Sequence, residues 1–471
     1  MPPNSAPLVA SPAARGDWLS VWTPEDATFW NETGSRIAWR TLALTTSALV
    51  LSFSTWFLFS ALVVNLAGMG VTFADNPKAN ERLLFWLVAM PGLAGGTLRI
   101  VHTFLIPMFG TRRVITVATL AKIIPCIGVG WAVMTPGTPY GVYLVLALLL
   151  GMGGGDFSSH MPSTSLFFPK RLQGTALGIQ AGIGNFGVCL TQFLTPWIIG
   201  VAALSAITGD PQTLTTAQGT RTVWLQNAAY WYVPLLLVLG CLCWVMLHSV
   251  PVQASFREQL DIFRDQHTWY CTVTYMMTFG AFSGFAAAFP MLIKSLYGGF
   301  GEQSPNPLAY AFLGPLIGSA VRVGFGFVAD KTGGAILTHF AGLGMIALCM
   351  TMVLTGVLSP TSLDSFPLFV GLMLALFFCT GVGNASTFRQ FPVIFAHNPR
   401  QGAQVLGWTA AVAAYGPFLF SSAIGETLNW TASAGELKSA APFFVAAAVF
   451  FAVAVMINWY FYTRKGCVRP C

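Results

Sequence analysis

Long stretches without charge divide this chain. No Asp, Glu, Lys or Arg occurs in 41–74, 83–98, 123–155, 172–209, 222–256, 266–293, 303–321, 332–363, 365–388, 401–425 or 439–463. A helix crosses hydrocarbon with about 20 residues, so most of these runs can hold one span. They are continuously apolar rather than alternating, which argues against a barrel of strands. With Gly, Pro and Asn turns and charge clusters as boundaries, the pattern predicts twelve helices. They fall at 42–66, 83–109, 114–134, 140–167, 175–204, 228–248, 268–297, 307–328, 335–358, 367–396, 403–427 and 440–463. The expected fold class is an all-α membrane protein of two six-helix halves. Its parts are an N-terminal segment 1–41, a bundle 42–248, a linker 249–267, a bundle 268–463 and a tail 464–471. The linker carries Arg257, Glu258, Asp261, Arg264 and Asp265.

Composition agrees and excludes other classes. Charged residues are 8% of the 471, against roughly 25% in a soluble domain. Hydrophobic residues are 55%, with 38 Phe. Such a palette cannot cover a water-facing surface, which rules out a cytosolic enzyme and a nucleic-acid binder despite the net charge of +7. That charge follows the topology instead. With the N-terminus inside, one side holds Arg15, Arg36, Arg40, Arg112, Arg113, Lys170, Arg171, Arg257, Arg264, Lys331, Arg400, Arg464, Lys465 and Arg469. The other holds Lys78, Arg82, Arg221, Lys294 and Lys438. The excess predicts cytoplasmic termini and a multi-pass protein of the cytoplasmic (inner) membrane. The nine cysteines form no CxxC pair, so no metal site is expected. The N-terminus lacks a basic region followed by an apolar core, and no cleavable signal is expected.

The halves repeat. Span 2 contains Gly95-Gly96-Thr97-Leu98-Arg99, with Gly110 eleven residues on; span 8 contains Gly318-Ser319-Ala320-Val321-Arg322, with Gly333 eleven residues on. Span 4 reads Gly153-Gly154-Gly155-Asp156-Phe157-Ser158-Ser159, and span 10 reads Gly381-Val382-Gly383-Asn384-Ala385-Ser386-Thr387. Spans 5 and 11 superpose at Gly178/Gly407, pairing Phe186 with Tyr415 and Gly187 with Gly416. Three matches, each six helices apart, indicate a duplicated unit. Parallel repeats of this kind are the plan of major facilitator transporters, which bind substrate at the midplane between halves.

Four basic residues lie inside spans: Arg99, Lys122, Arg322 and Arg389. A basic residue at the centre of a span costs about 2.5–3.5 kcal/mol, so depth separates function from accident. Arg99 and Arg322 lie eleven residues, about 16 Å, from an inner-side Gly. That is near the middle of the hydrocarbon. Lys122 and Arg389 are expected to snorkel toward the cytoplasm. Asp156 is the one acid deep in a span, so it can neutralise at most one arginine. Two facing guanidiniums therefore predict a site for a small planar oxyanion, which their donor forks grip bidentately. Phe157, Tyr275 and Phe279 suit cavity walls or core packing; the last two are i,i+4 on span 7. Gly178, Gly182, Gly184 and Gly187 allow close helix contact. Asn185 among them suits either packing or a ligand donor.

These residues resemble the NarK-type nitrate/nitrite porter family of the major facilitator superfamily. The likeness covers nearly the whole chain. It starts at Trp22-Thr23-Pro24-Glu25-Asp26 with Phe29-Trp30 and runs through Pro91–Gly110. It is most specific from Gly151 to Gly187, where Ser165-Leu166-Phe167-Phe168-Pro169-Lys170 precedes a nitrate-signature run, Ala181-Gly182-Ile183-Gly184-Asn185-Phe186-Gly187. The stretch Gly326–Gly334 resembles the general facilitator motif. The resemblance implies nitrate held between Arg99 and Arg322, an amide donor at Asn185, and aromatic walls at Phe157, Tyr275 and Phe279, with Phe388 a weaker match. The second signature, on span 11, is degenerate, with Ala414 at the Asn position. Asp156 departs from the family pattern, in which Asn precedes the Phe. His102 and His160 add titratable groups beside it, either peripheral or able to couple protons to transport.

The expected function is nitrate and nitrite transport by alternating access, without cofactor and as a monomer. Facing cations without an anion repel, which favours exchange of nitrate for nitrite; nitrate/proton symport through Asp156, His102 and His160 is the rival. A carrier of another small anion would use the same arginines. A sensor would need a signalling domain that pieces of about 40 and 19 residues cannot form. No nucleophile triad, metal cluster or phosphate loop suggests an enzyme.

Overall fold

The computed structural model describes residues 18–202, 205–216, 219–250, 261–433 and 437–471. Arg15, Arg257 and Glu258 lie outside them, as does the side chain of Arg400. Twelve helices are long and apolar enough to span a membrane: α1 Ala27–Met69, α2 Pro77–Phe109, α3 Thr111–Met134, α4 Tyr140–Phe167, α5 Lys170–Ile198, α6 Asn227–Met246, α7 Gln266–Tyr297, α8 Gly301–Thr332, α9 Gly334–Leu354, α10 Leu363–Ile394, α11 Gln404–Ser433 and α12 Ala441–Thr463. The faces bearing Arg112 and Lys331 are termed inner, and those bearing Arg82 and Lys438 outer.

Helix starts differ where polar residues were read as boundaries. α1 begins at Ala27 rather than near 42, because Asp26 caps it, accepting from the Thr28 and Phe29 amides at 2.8 and 3.3 Å. α2 begins at Pro77, capped by Asn76. Charged first turns stand outside hydrocarbon yet remain helical, since helices continue past the membrane wherever a cap can satisfy their free amides. A short antiparallel hairpin, β1 (Gln212–Thr216) and β2 (Gly219–Val223), joins α5 to α6. Its Thr and Val content favours strand, and Leu214 is its buried anchor.

The duplication is visible in the backbone. α2 and α8 both end on a left-handed glycine, Gly110 (φ 78°) and Gly333 (φ 92°). The residue before each subsequent helix therefore occupies equivalent positions, and Lys122 and Met345 are counterparts twelve residues further on.

The halves meet along α2 against α11 and α5 against α8. At the outer end they are tied across the interface. Arg82 pairs with Glu426 at 2.7 Å, Trp86 Nε1 donates to the same carboxylate at 2.9 Å, and Lys438 pairs with Glu81 at 2.6 Å. Deeper in, Gln192 Nε2 donates to the Ala286 carbonyl at 2.8 Å. Gly92 makes this closure possible: a Cβ there would stand 2.5 Å from the Phe418 amide nitrogen. Toward the inner face the halves diverge around a cavity of roughly 410 Å³, lined from both sides by Ile100, Met161, Phe263 and Trp408. The architecture is closed outside and open inside.

The N-terminal tryptophans pack on their own chain. Trp22 and Trp30 are buried against Phe167 and Phe168 at the α4–α5 corner, and Trp22 Nε1 donates to the Leu166 carbonyl at 3.0 Å.

Candidate functional site

α2 and α8 bring Arg99 and Arg322 to the inner cavity's upper end, both buried. Their guanidiniums share one aromatic ring. Phe279 lies 5.3 Å from Arg99 Cζ and 6.0 Å from Arg322 Cζ. Phe157 lies 4.7 Å from the first and Phe388 4.5 Å from the second. Both of these outer rings also line the cavity. Quadrupole attraction to ring faces stabilises a cation without consuming its donors, so the in-plane N–H groups stay available.

The donors are unequally used. Arg99 Nε donates to the Gly154 carbonyl at 2.8 Å and Nη1 to the Ala410 carbonyl of the opposite half at 2.6 Å. Its Nη2 has no partner among the described residues, and the terminal nitrogens of Arg322 make no hydrogen bond of good geometry there, although the Tyr275 hydroxyl lies against them. No carboxylate pairs with either arginine among those residues. Both amide atoms of buried Asn185 are likewise unpartnered among the described residues. Tyr275 faces Arg322 and stacks on Phe279 at 5.6 Å with an interplanar angle of 10°. Directly after Tyr275, α7 widens into a π-turn, Met276–Gly280, that includes Phe279, a device common at functional sites. Buried donors are rarely left unsatisfied, so this concentration of them around two cations suits an anion.

The predicted residues thus divide into two groups. Arg99, Arg322, Tyr275, Phe157 and Phe279 gather with Phe388 about the cavity end, while Asn185 is buried on α5 without a hydrogen bond to either guanidinium among the described residues. Asp156, His102 and His160 gather elsewhere, around Lys122. The expectation that Lys122 snorkels is overturned: it is fully buried, and its Nζ binds Asp156 Oδ2. The reason is the carboxylate itself, also held by Ser52 Oγ at 2.6 Å, which offers a better partner than distant water. His102 Nδ1 lies 3.9 Å from Asp156 Oδ1 and 3.1 Å from Ser159 Oγ; His160 Nδ1 contacts the Asp156 carbonyl at 2.8 Å. This cluster adjoins the arginine site through α4, whose Gly154 carbonyl holds Arg99, and through α2, which carries both Arg99 and His102. Arg389 does reach the surface, where it meets Asp330 at 3.0 Å. Lys122 as the partner of Asp156 was missed, although a lone deep acid beside a lone deep lysine was a usable signal.

A twelve-helix bundle of duplicated halves, closed on one side and holding paired cations at the middle, is the architecture of a secondary carrier. Residues 44–421 match the Major Facilitator Superfamily. The chain is 54% identical to the probable nitrate/nitrite antiporter NarK2 of Thermus thermophilus over 98% of its length and 99% of that protein's. It is 36% identical to the nitrate/nitrite transporter NarU of Escherichia coli (strain K12), over 95% and 96%. Among solved structures it resembles a bacterial homologue of the human lysosomal transporter Spinster, inward-facing and unoccupied (TM-score 0.64, 12% identity, covering 89% of this chain and 96% of that one). It also resembles a D-xylose–proton symporter (TM-score 0.64, 15% identity, 89% and 96%). These last two share the fold. The chain belongs to the major facilitator superfamily and, within it, to the NarK-type nitrate/nitrite porter family. It is a multi-pass protein of the inner membrane, and a transporter rather than an enzyme.

Proposed function

We propose that this protein carries nitrate and nitrite across the cytoplasmic membrane by exchange, gripping one anion at a time between Arg99 and Arg322. The observation that carries the reading is the pair of buried arginines from duplicated halves, sharing Phe279, lacking carboxylates and keeping free donors. Two relatives named for nitrate and nitrite support the substrate. Nitrate and nitrite are planar and singly charged, so either can satisfy the forks. An anion bound between the halves offsets the repulsion and desolvation that closing two bare cations together would cost. Exchange follows, because the unloaded carrier reorients poorly. On the charge bias we place both termini in the cytoplasm, with the bundles, the first extended back to Ala27, rocking as units about the 249–267 linker. The carrier works as a monomer.

Proton symport is the second reading, favoured by the buried Asp156–His102–His160 cluster. Against it, Lys122 already balances the Asp156 carboxylate. Counterflow separates the two. Nitrate outside proteoliposomes should enter only when nitrite or nitrate is inside, with a rate indifferent to an imposed pH gradient. Proton-driven entry into vesicles holding only buffer would sink obligatory exchange.

Alternating access also makes the outer closure essential. Gly92→Ala places a Cβ against the Phe418 backbone, which cannot yield as a flexible side chain could. Nitrate uptake should be lost while the detergent-purified protein keeps its melting temperature and monodisperse elution. Normal uptake by this variant would show that α2 and α11 need not close.

A further inference from the structure

We infer that Asn384 is an anion-contacting residue of the C-terminal half and that it favours nitrate over nitrite. The inference rests on the proposed anion site and assigns that site a further residue.

Asn384 lies on α10, fully buried, and neither its Nδ2 nor its Oδ1 has a partner among the described residues. An amide sealed from water with all its hydrogen bonds unmade is unfavourable, so such a group calls for a ligand. Its place on the helix indicates which. Gly381, one turn before it, packs on the α8 backbone at Gly318, one turn before Arg322. Phe388, one turn after it, lies against the Arg322 guanidinium and lines the cavity. Residues three and four apart share a helix face, so Asn384 stands on the stripe that runs along Arg322 to the cavity.

The duplication supplies a control inside the molecule. The counterpart of Asn384 is Asp156, which is consumed by Lys122 and Ser52. Lys122 corresponds to Met345, so α9 offers Asn384 no partner. The C-terminal half also lacks the signature amide, because Ala414 stands where α5 has Asn185. Asn384 is thus an α10 amide with both atoms unpartnered among the described residues, on the helix face that brings Phe388 to Arg322, and it stands in for the signature amide that the C-terminal half lacks.

Selectivity follows from the number of oxygens. Trigonal nitrate presents three O–N–O edges; the Arg322 fork occupies one and the unpartnered Nη2 of Arg99 reaches a second. The third edge is left for neutral donors. Nitrite has one such edge, which a single fork fills, so an additional amide contributes less to it.

The test is the concentration dependence of uptake by wild type, Asn384→Leu and Asn384→Ser in proteoliposomes loaded with nitrite or nitrate. For Asn384→Leu the KM for nitrate should rise about tenfold and that for nitrite less than about threefold, the loss of one hydrogen bond to a charged ligand. Asn384→Ser, which keeps a hydroxyl, should fall between and covers the case in which the Leu variant does not fold. Equal shifts for the two anions, or no shift, would overturn the inference. Failure of the underlying reading looks different: the wild type itself would not carry nitrate, or Arg322→Lys would transport normally.

Discussion

Arg322→Lys abolishes nitrate uptake, with a loss of about 100-fold or more at subsaturating nitrate, although the charge is kept. The arginine presents two terminal nitrogens that make no hydrogen bond of good geometry among the described residues, set against Phe388 at 4.5 Å and Phe279 at 6.0 Å. That plane meets a planar oxyanion edge to edge through two parallel hydrogen bonds. A lysine ammonium is a point donor on a shorter reach, cannot stack flat between rings, and carries a tighter hydration shell into a buried site. Arg99→Lys should behave alike with a second defect, since Arg99 also holds the Gly154 carbonyl at 2.8 Å and the Ala410 carbonyl of the other half at 2.6 Å. Initial rates of labelled nitrate uptake at several concentrations, normalised to reconstituted protein, read the effect. Near-normal rates in Arg322→Lys would remove the bidentate grip from the mechanism.

Lys122→Met destabilises the protein by about 3–5 kcal/mol, and Asp156→Asn in the same chain restores most of that loss. Asp156 is buried with Lys122 and Ser52 as its hydrogen-bonding partners. Removing the ammonium leaves a carboxylate in low dielectric with the Ser52 hydroxyl at 2.6 Å and His102 Nδ1 no nearer than 3.9 Å. Replacing both members removes the charge altogether, and the chain already contains that arrangement: Met345 and Asn384 hold the corresponding places in the other half. Thermal unfolding in detergent and the yield of monodisperse protein measure stability, and uptake by the double variant measures function. A stable, active double variant also means that no proton need pass through Asp156. If instead Lys122→Met is as stable as wild type, the pair is dispensable and its burial is without consequence.

Much of this was legible in the linear chain. Charge-free runs, divided at Gly, Pro and Asn turns and at charge clusters, marked twelve helices, most within a few residues of their observed ends. The repeat of Gly and Arg between spans 2 and 8 singled out Arg99 and Arg322, because a basic residue far from both membrane surfaces is expensive unless it has work to do. The i,i+4 spacing of Tyr275 and Phe279 put their rings on one face, and they stack there. The start of α1 was hidden, because capping by Asp26 depends on local geometry rather than on hydropathy. So was the hairpin, whose ten residues are held by pairing and by Leu214.

Three matters were decided only by the folded chain. Lys122 and Asp156, 34 residues apart, neutralise each other because α3 and α4 place them face to face; depth alone pointed Lys122 to the surface. That pairing leaves both arginines without a carboxylate, which a list of charges does not reveal. Asn384 and Asp156 occupy equivalent places in the repeat, yet Asp156 is bonded to Lys122 while the Asn384 amide has no partner among the described residues, and the position equivalent to Lys122 is Met345, which has no donor to offer. Sparse charge, then, identified a membrane carrier from sequence and pointed to the two deep arginines proposed to hold its anion, since the energy of burying a charge depends on depth, which counting residues supplies. Which buried groups are satisfied depends on contacts between helices distant in the chain, and packing alone supplies those.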